Sequence, residues 1–86
     1  MEITDVRISP RDEDKLKAFV TVTFDDCFVV RGVKIIEGNQ GLFVAMPSRR
    51  KGDGTFQDIA HPIHRDMRER VEVKILEEYR HAHEPV

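Results

Sequence analysis

From Leu16 to Phe24 every second residue is apolar: Leu16, Ala18, Val20, Val22 and Phe24 fall on one side, and Lys17, Thr21 and Thr23 join Phe19 on the other. That period, with its β-branched content, specifies an extended strand, because successive side chains alternate across a pleated backbone. One such strand needs neighbours, and the flanking segments supply them. Residues 3–8 read as a short strand stopped at Ser9-Pro10, since proline lacks the ladder donor. The charged segment 11–15 reads as a turn or loop. Asp25-Asp26 predicts a tight hairpin into a strand over 28–36. Residues 37–41 form a loop of types that tolerate positive φ, and 42–46 form an apolar strand ended by Pro47. Lys51-Gly52-Asp53-Gly54 is a strong turn signal within an exposed tip over 48–55, with a short strand at 56–59 beyond it.

The period then changes. Met67, Val71, Ile75 or Leu76, and Tyr79 recur every three or four residues, which predicts a helix starting between 64 and 67 and ending near 82. Lys74 and Glu78 add an i,i+4 pair on its outer side. The expected fold class is therefore α+β: a small antiparallel sheet of four to five strands followed by a C-terminal helix. Residues 1–86 make one domain, with 83–86 as a frayed tail.

The strands over 28–36 and 42–46 are apolar on both faces by alternation: Phe28 and Val30 against Val29, Val33 and Ile35, then Leu42, Val44 and Met46 against Phe43 and Ala45. One helix covers one face. The other needs a partner, and a homodimer joined through the sheet is the simplest expectation; a sheet curled upon itself is the alternative.

Charge and cysteine content narrow the setting. The net charge is −2, but residues 29–64 carry five Lys/Arg against three Asp/Glu, whereas residues 1–28 carry four against seven. A local basic patch can hold phosphate on a slightly acidic protein. Cys27 is the single cysteine, so no internal disulfide forms, which fits a reducing compartment. No basic-then-apolar leader is visible, and no apolar run approaches the length of a membrane span. The expectation is a cytoplasmic protein with no membrane contact.

Arg49-Arg50-Lys51 is the best functional signal. Three adjacent cations reach phosphate oxygens, and arginine matches phosphate geometry bidentately. The bland reading is a solvated loop, the commoner use of such charges. Arg65, Arg68 and Arg70 crowd the start of the helix, where cations oppose its dipole; that placement suits a bound anion, or simple pairing with Asp66, Glu69 and Glu72. His61 and His64 lie near Asp58 and Asp66, but their spacing matches no metal signature. No P-loop, dinucleotide-binding or Gly-x-Ser-x-Gly pattern occurs, so neither a cofactor, a metal nor an enzymatic activity is expected. Phe19, Phe24, Phe28, Phe43 and Phe56 are scattered rather than clustered for base stacking, so phosphate contacts would dominate any nucleic-acid binding.

The stretch Gly41-Leu42-Phe43-Val44-Ala45-Met46-Pro47-Ser48-Arg49-Arg50, with Asp53-Gly54-Thr55-Phe56-Gln57-Asp58-Ile59-Ala60-His61-Pro62-Ile63 after it, resembles the signature of the SpoVG family. The opening Met1-Glu2-Ile3-Thr4-Asp5-Val6-Arg7-Ile8, the Phe28-Val29-Val30 strand and Gly38-Asn39-x-Gly41 extend the resemblance over residues 1–80. It implies a small dimeric bacterial regulator that binds DNA, in some members RNA, and is tied to sporulation, asymmetric septation and gene expression. Carried onto this chain, the binding surface would be Arg49, Arg50 and Lys51 with Arg65, Arg68 and Arg70. Two positions depart from the pattern. His64-Arg65-Asp66-Met67 replaces a small polar run, and Gln57 stands where relatives often carry a basic residue. The expected partners are a second copy, DNA and/or RNA, and division or regulatory proteins. The alternative function is a protein-interaction module of the septation machinery that binds no nucleic acid.

Overall fold

Asp25 and Asp26 adopt φ of 50° and 54°, the left-handed pair that a two-residue hairpin turn requires, and the Cys27 amide closes the turn onto the Phe24 carbonyl at 3.0 Å. The N-terminal segment is tied to this turn. Glu2 and Asp25 exchange two hydrogen bonds, and the Thr4 hydroxyl accepts from the Asp26 amide at 2.9 Å. Three strands are thereby held in register at one end.

The computed structural model describes residues 1–83. Strands β1 (Ile3–Pro10), β2 (Leu16–Phe24), β3 (Phe28–Gly38) and β4 (Gly41–Ala45) form one antiparallel sheet in the order β1-β2-β3-β4. β5 (Ser48–Arg50) and β6 (Phe56–Asp58) form a separate two-stranded ribbon, and α1 (Arg65–His83) follows. The α+β expectation holds, and the tip expected over 48–55 is a hairpin in which Ser48–Arg50 is strand and residues 51–55 make the turn. β1 runs through Pro10, opposite Ala18, because an edge strand can spare a donor. The loop expected over 37–41 shrinks to Asn39-Gln40 between the paired Gly38 and Gly41. Of the frayed tail expected at 83–86, residue 83 ends the helix and 84–86 lie outside the described residues.

The core lies between α1 and one sheet face. Ala18, Val20, Val22 and Phe24 from β2, Val33 and Ile35 from β3, and Val44 and Met46 are buried against Val71 and Ile75. Met67, Leu76 and Tyr79 pack at its margin, as the helical spacing predicts. Lys74 and Glu78 pair at 3.5 Å on the outer side. Nineteen residues at about 1.5 Å each carry the helix roughly 28 Å across the strands.

Strict alternation misplaces two residue sets. Val22 pairs with Val30 and Val20 with Val33, so β3 spends one residue more than β2 between these pairs. Gly32, at φ 82°, absorbs the extra residue as a bulge. Phe28, Val30, Val33 and Ile35 therefore all share the helix side, and the opposite face is less apolar than alternation implies. A second bulge, at Lys17, seats Leu16 opposite Ile36 rather than beside Ala18 in the core. The far face is then divided. Asp5, Arg7, Thr21 and Thr23 make one end polar apart from the exposed Val29 opposite Thr23, and Leu16, Ile36, Phe43 and Ala45 make the other mostly apolar, with Lys34 between Phe19 and Ala45. Phe19 lies on this face under the Arg11 guanidinium, 5.3 Å from its ring centre.

Candidate functional site

Pro47 ends the main sheet, and the chain leaves it as the β5–β6 ribbon. Ser48 stands opposite Asp58, Arg49 opposite Gln57, and Arg50 opposite Phe56. The ladder continues inward through the Ile59 amide to the Pro47 carbonyl at 2.7 Å, and outward through the Lys51 amide to the Thr55 carbonyl at 2.7 Å. Gly54, at φ 91°, turns the tip, and its amide reaches the Lys51 carbonyl at 3.0 Å. Asp53 accepts from the Thr55 hydroxyl at 2.6 Å and the Thr55 amide at 3.0 Å. Those two bonds, the hydroxyl first, hold its carboxyl below the ordinary aspartate range.

Arg49 and Arg50 are thus strand residues rather than members of a floppy loop. Directly opposed residues share a face, so Arg49 and Gln57 leave one side of the ribbon, and Ser48, Arg50, Phe56 and Asp58 leave the other. Every ribbon residue is exposed. Among the described residues the ion pairs are Arg7–Asp5, Lys17–Glu37 and Lys74–Glu78. Arg49, Arg50 and Lys51 take part in none of them, so their charge is available to a ligand.

The helix arginines separate. Arg65 and Arg68 are three residues apart and share one side of the first turns. Arg68 also donates to the Pro62 carbonyl at 3.4 Å, fastening the connection over 59–64 to the helix. Six residues, 59–64, separate the ribbon from Arg65. Arg70 goes elsewhere. It reaches the Met1 carbonyl at 3.5 Å and shares a shallow depression with Glu2, Asp66 and Glu69, a setting that favours cations over phosphate.

His61 bonds the neighbouring Pro62 carbonyl at 3.1 Å and borders an apolar groove of about 150 Å³ between the sheet end and the helix start. Phe28, Met46 and Met67 line the same groove. Among the described residues no three His, Cys, Asp or Glu side chains converge as metal ligands. No helix of the described chain is long and apolar enough to cross a membrane.

Gln57 was visible in the sequence only as a departure from the family pattern. Its pairing with Arg49 could have been found by counting outward from Asp53, because 50 and 56, 49 and 57, and 48 and 58 are equidistant from that residue.

The SpoVG family model matches residues 1–81. Proteins bearing the name "putative septation protein SpoVG" are similar along nearly the whole chain. That of Anaeromyxobacter sp. (strain Fw109-5) is 63% identical over 79 residues, covering 92% of this chain and 81% of its own. That of Myxococcus xanthus (strain DK1622) is 56% identical over 85 residues, covering 98% and 86%. That of Caldicellulosiruptor saccharolyticus is 55% identical over 80 residues, covering 92% and 91%.

Proposed function

The chain belongs to the SpoVG family, and from that premise we propose that it is a cytoplasmic, homodimeric nucleic-acid-binding regulator acting in septation and gene expression, with no catalytic step of its own. The observation that carries this reading is the ribbon, where Arg49, Arg50 and Lys51 stand exposed and outside every ion pair of the described residues. A charge that pairs with nothing in its own protein still costs little in water, so such a cluster persists without destabilising the fold and keeps its full attraction for an external polyanion. Arg65 and Arg68, at the start of α1, add two further cations to this reading; Arg70, amid carboxylates, contributes least.

The far face of the sheet supports the dimer. Phe43 is 48% exposed there, beside Leu16, Ile36 and Ala45. Burying that patch against its copy would remove apolar surface from water and bring two ribbons into one assembly. Two ribbons offer up to roughly six phosphate contacts, and contacts in that number lose on the order of a thousandfold in affinity between about 50 and 200 mM salt.

Gel-shift titration against salt tests this. Wild type should retard duplex or single-stranded nucleic acid with a steep salt dependence. The Arg49→Ala, Arg50→Ala double variant should lose both the affinity and most of the slope while its melting temperature stays unchanged. Absence of retardation by wild type at low salt would leave the second reading, a docking module for division proteins. That reading draws on the exposed Phe56 at the outer end of the ribbon ladder, on the exposed Ile59 and Ile63 at and beyond its base, and on the apolar groove lined by Ala60 and His61. It expects a discrete protein partner whose binding tolerates salt and is lost on Phe56→Ser.

A further inference from the structure

We propose that the groove between the sheet end and the start of α1 binds a small amphipathic carboxylate, its ring or branched alkyl body among the methionines and its carboxylate on Arg68. All three methionines of the chain, Met1, Met46 and Met67, line this one groove. Methionine is unbranched and polarizable, so a site built from it adapts to the apolar body it receives. The volume is about 150 Å³, the size of cavity that takes a single benzene ring, and too small for a strand or a helix. Phe28 borders it with 60% of its surface exposed, and a bound body would cover part of that ring. Val22, Val30 and Val33 place the groove on the helix side of the sheet, away from the face assigned to the dimer. Among the lining side chains only His61 is polar.

The charge stands beside the groove. Pro62 is part of the lining, and its carbonyl accepts from His61 Nδ1 at 3.1 Å and from Arg68 Nη2 at 3.4 Å. The second contact is long for N–H···O and engages one of the guanidinium's N–H groups. Arg68 is half-buried, whereas every other arginine of the chain is exposed. It takes part in none of the ion pairs among the described residues. A partly desolvated cation without a counter-ion costs stability that an exposed one does not, and an anion held there recovers it. Carboxylate suits the place, because its two oxygens match the guanidinium fork. An anion without an apolar body leaves the groove empty, and a neutral apolar molecule leaves Arg68 unpaired, so the two features together select an amphiphile. A filled site withdraws Arg68 from the cations offered to nucleic acid; that consequence rests on the reading above, whereas the site does not.

The test is NMR of the intact protein carrying carbon-13 methionine methyls, titrated with phenylacetate, phenylacetamide and acetate. All the labelled methyls report on the groove, so the spectrum has no background from elsewhere. Phenylacetate should shift Met46 and Met67 saturably, with a Kd on the order of 1 mM for so small a ligand. Phenylacetamide, which lacks the charge-assisted pair, should bind about tenfold more weakly, and acetate should leave the methyls unmoved. Arg68→Gln should bring phenylacetate down to the affinity of the amide, with the circular dichroism spectrum retained. Ala60→Phe, which fills the groove from its lining, should abolish the shifts from both ring compounds. No saturable shift with phenylacetate, equal affinity for acid and amide, or an acid affinity that survives Arg68→Gln would each overturn the site. Undiminished binding by Ala60→Phe would put the ligand elsewhere and overturn it too. The comparison of acid with amide uses wild type alone, so it decides the matter whether or not either variant folds.

Discussion

Thr55 donates its hydroxyl and its backbone amide to the same carboxylate oxygen of Asp53, at 2.6 and 3.0 Å. The pair locks the ribbon tip that presents Lys51 and Arg50. Because both bonds favour the ionised carboxylate, Asp53 titrates below its ordinary value in the folded protein. The sign of the linkage follows: the stabilisation is complete above the unfolded aspartate pKa and is lost as pH falls through the lower, folded one. Carboxyl-carbon NMR titration of Asp53 should give a midpoint below that of a free aspartate. Thr55→Val removes the hydroxyl bond, the larger of the two effects, and should move the midpoint upward. An unmoved midpoint in that variant would show that the hydroxyl does not hold the tip.

Gly32 at φ 82° makes a different prediction, one of strain without collision. A Cβ added there would meet Pro47 at an ordinary 3.8 Å, so space is not the constraint. The left-handed conformation is, at about 1–2 kcal/mol for a residue with a Cβ. Urea unfolding of Gly32→Ala should show a loss of that size with little change in denaturant slope. Asn, which tolerates this region better, should cost less than Ala. Equal stability of all three would mean that the bulge relaxes to ordinary φ.

The bulge also explains why the sheet was only partly legible in the sequence. β2 could be read residue for residue from Ala18 to Phe24, since period and burial agree there. The α1 stripe could be read because helical spacing is insensitive to one-residue slips over so few turns. Alternation along β3 failed at Gly32, for one extra residue inverts every side chain beyond it. Nothing in Arg31-Gly32-Val33 separates a bulged glycine from a strand glycine until the partner strand is placed. Arg49, Arg50 and Lys51 were legible as a charge cluster. Their division between two faces takes one further step, since the register is countable only once the turn is centred on Asp53.

Ile75 has no solvent exposure and lies where the helix stripe meets Ile35 and the β2 valines. Truncation to Ala should cost about 2–5 kcal/mol, and Ile75→Val about 0.5–1.5 kcal/mol. Small domains hold only about 5–15 kcal/mol in total, so Ile75→Ala should approach unfolding near physiological temperature. Exposed Val73, two positions earlier, should tolerate Ala within about 0.5 kcal/mol. Chemical denaturation of the three variants in parallel checks the ranking. A large loss at Val73 instead would indicate that a partner covers the outer helix face.

Phe43 tests the proposed dimer at its centre. Its ring lies over Gly38, close enough that a Cβ there would sit 3.0 Å from a ring carbon, so part of the ring is held within its own chain. The rest of it faces outward beside Ile36 and Leu16. Phe43→Glu places a charge on that patch, which water accommodates in a monomer and an apolar interface does not. Sedimentation equilibrium should show wild type as a dimer and the variant as a folded monomer, with the circular dichroism spectrum retained. The monomer carries half the ribbon cations, so its salt slope for DNA should fall to about half that of wild type. A wild-type chain that remains monomeric at high concentration removes the sheet-face dimer; an unchanged dimer in the variant moves the interface to another surface, with the β4 edge the next to test.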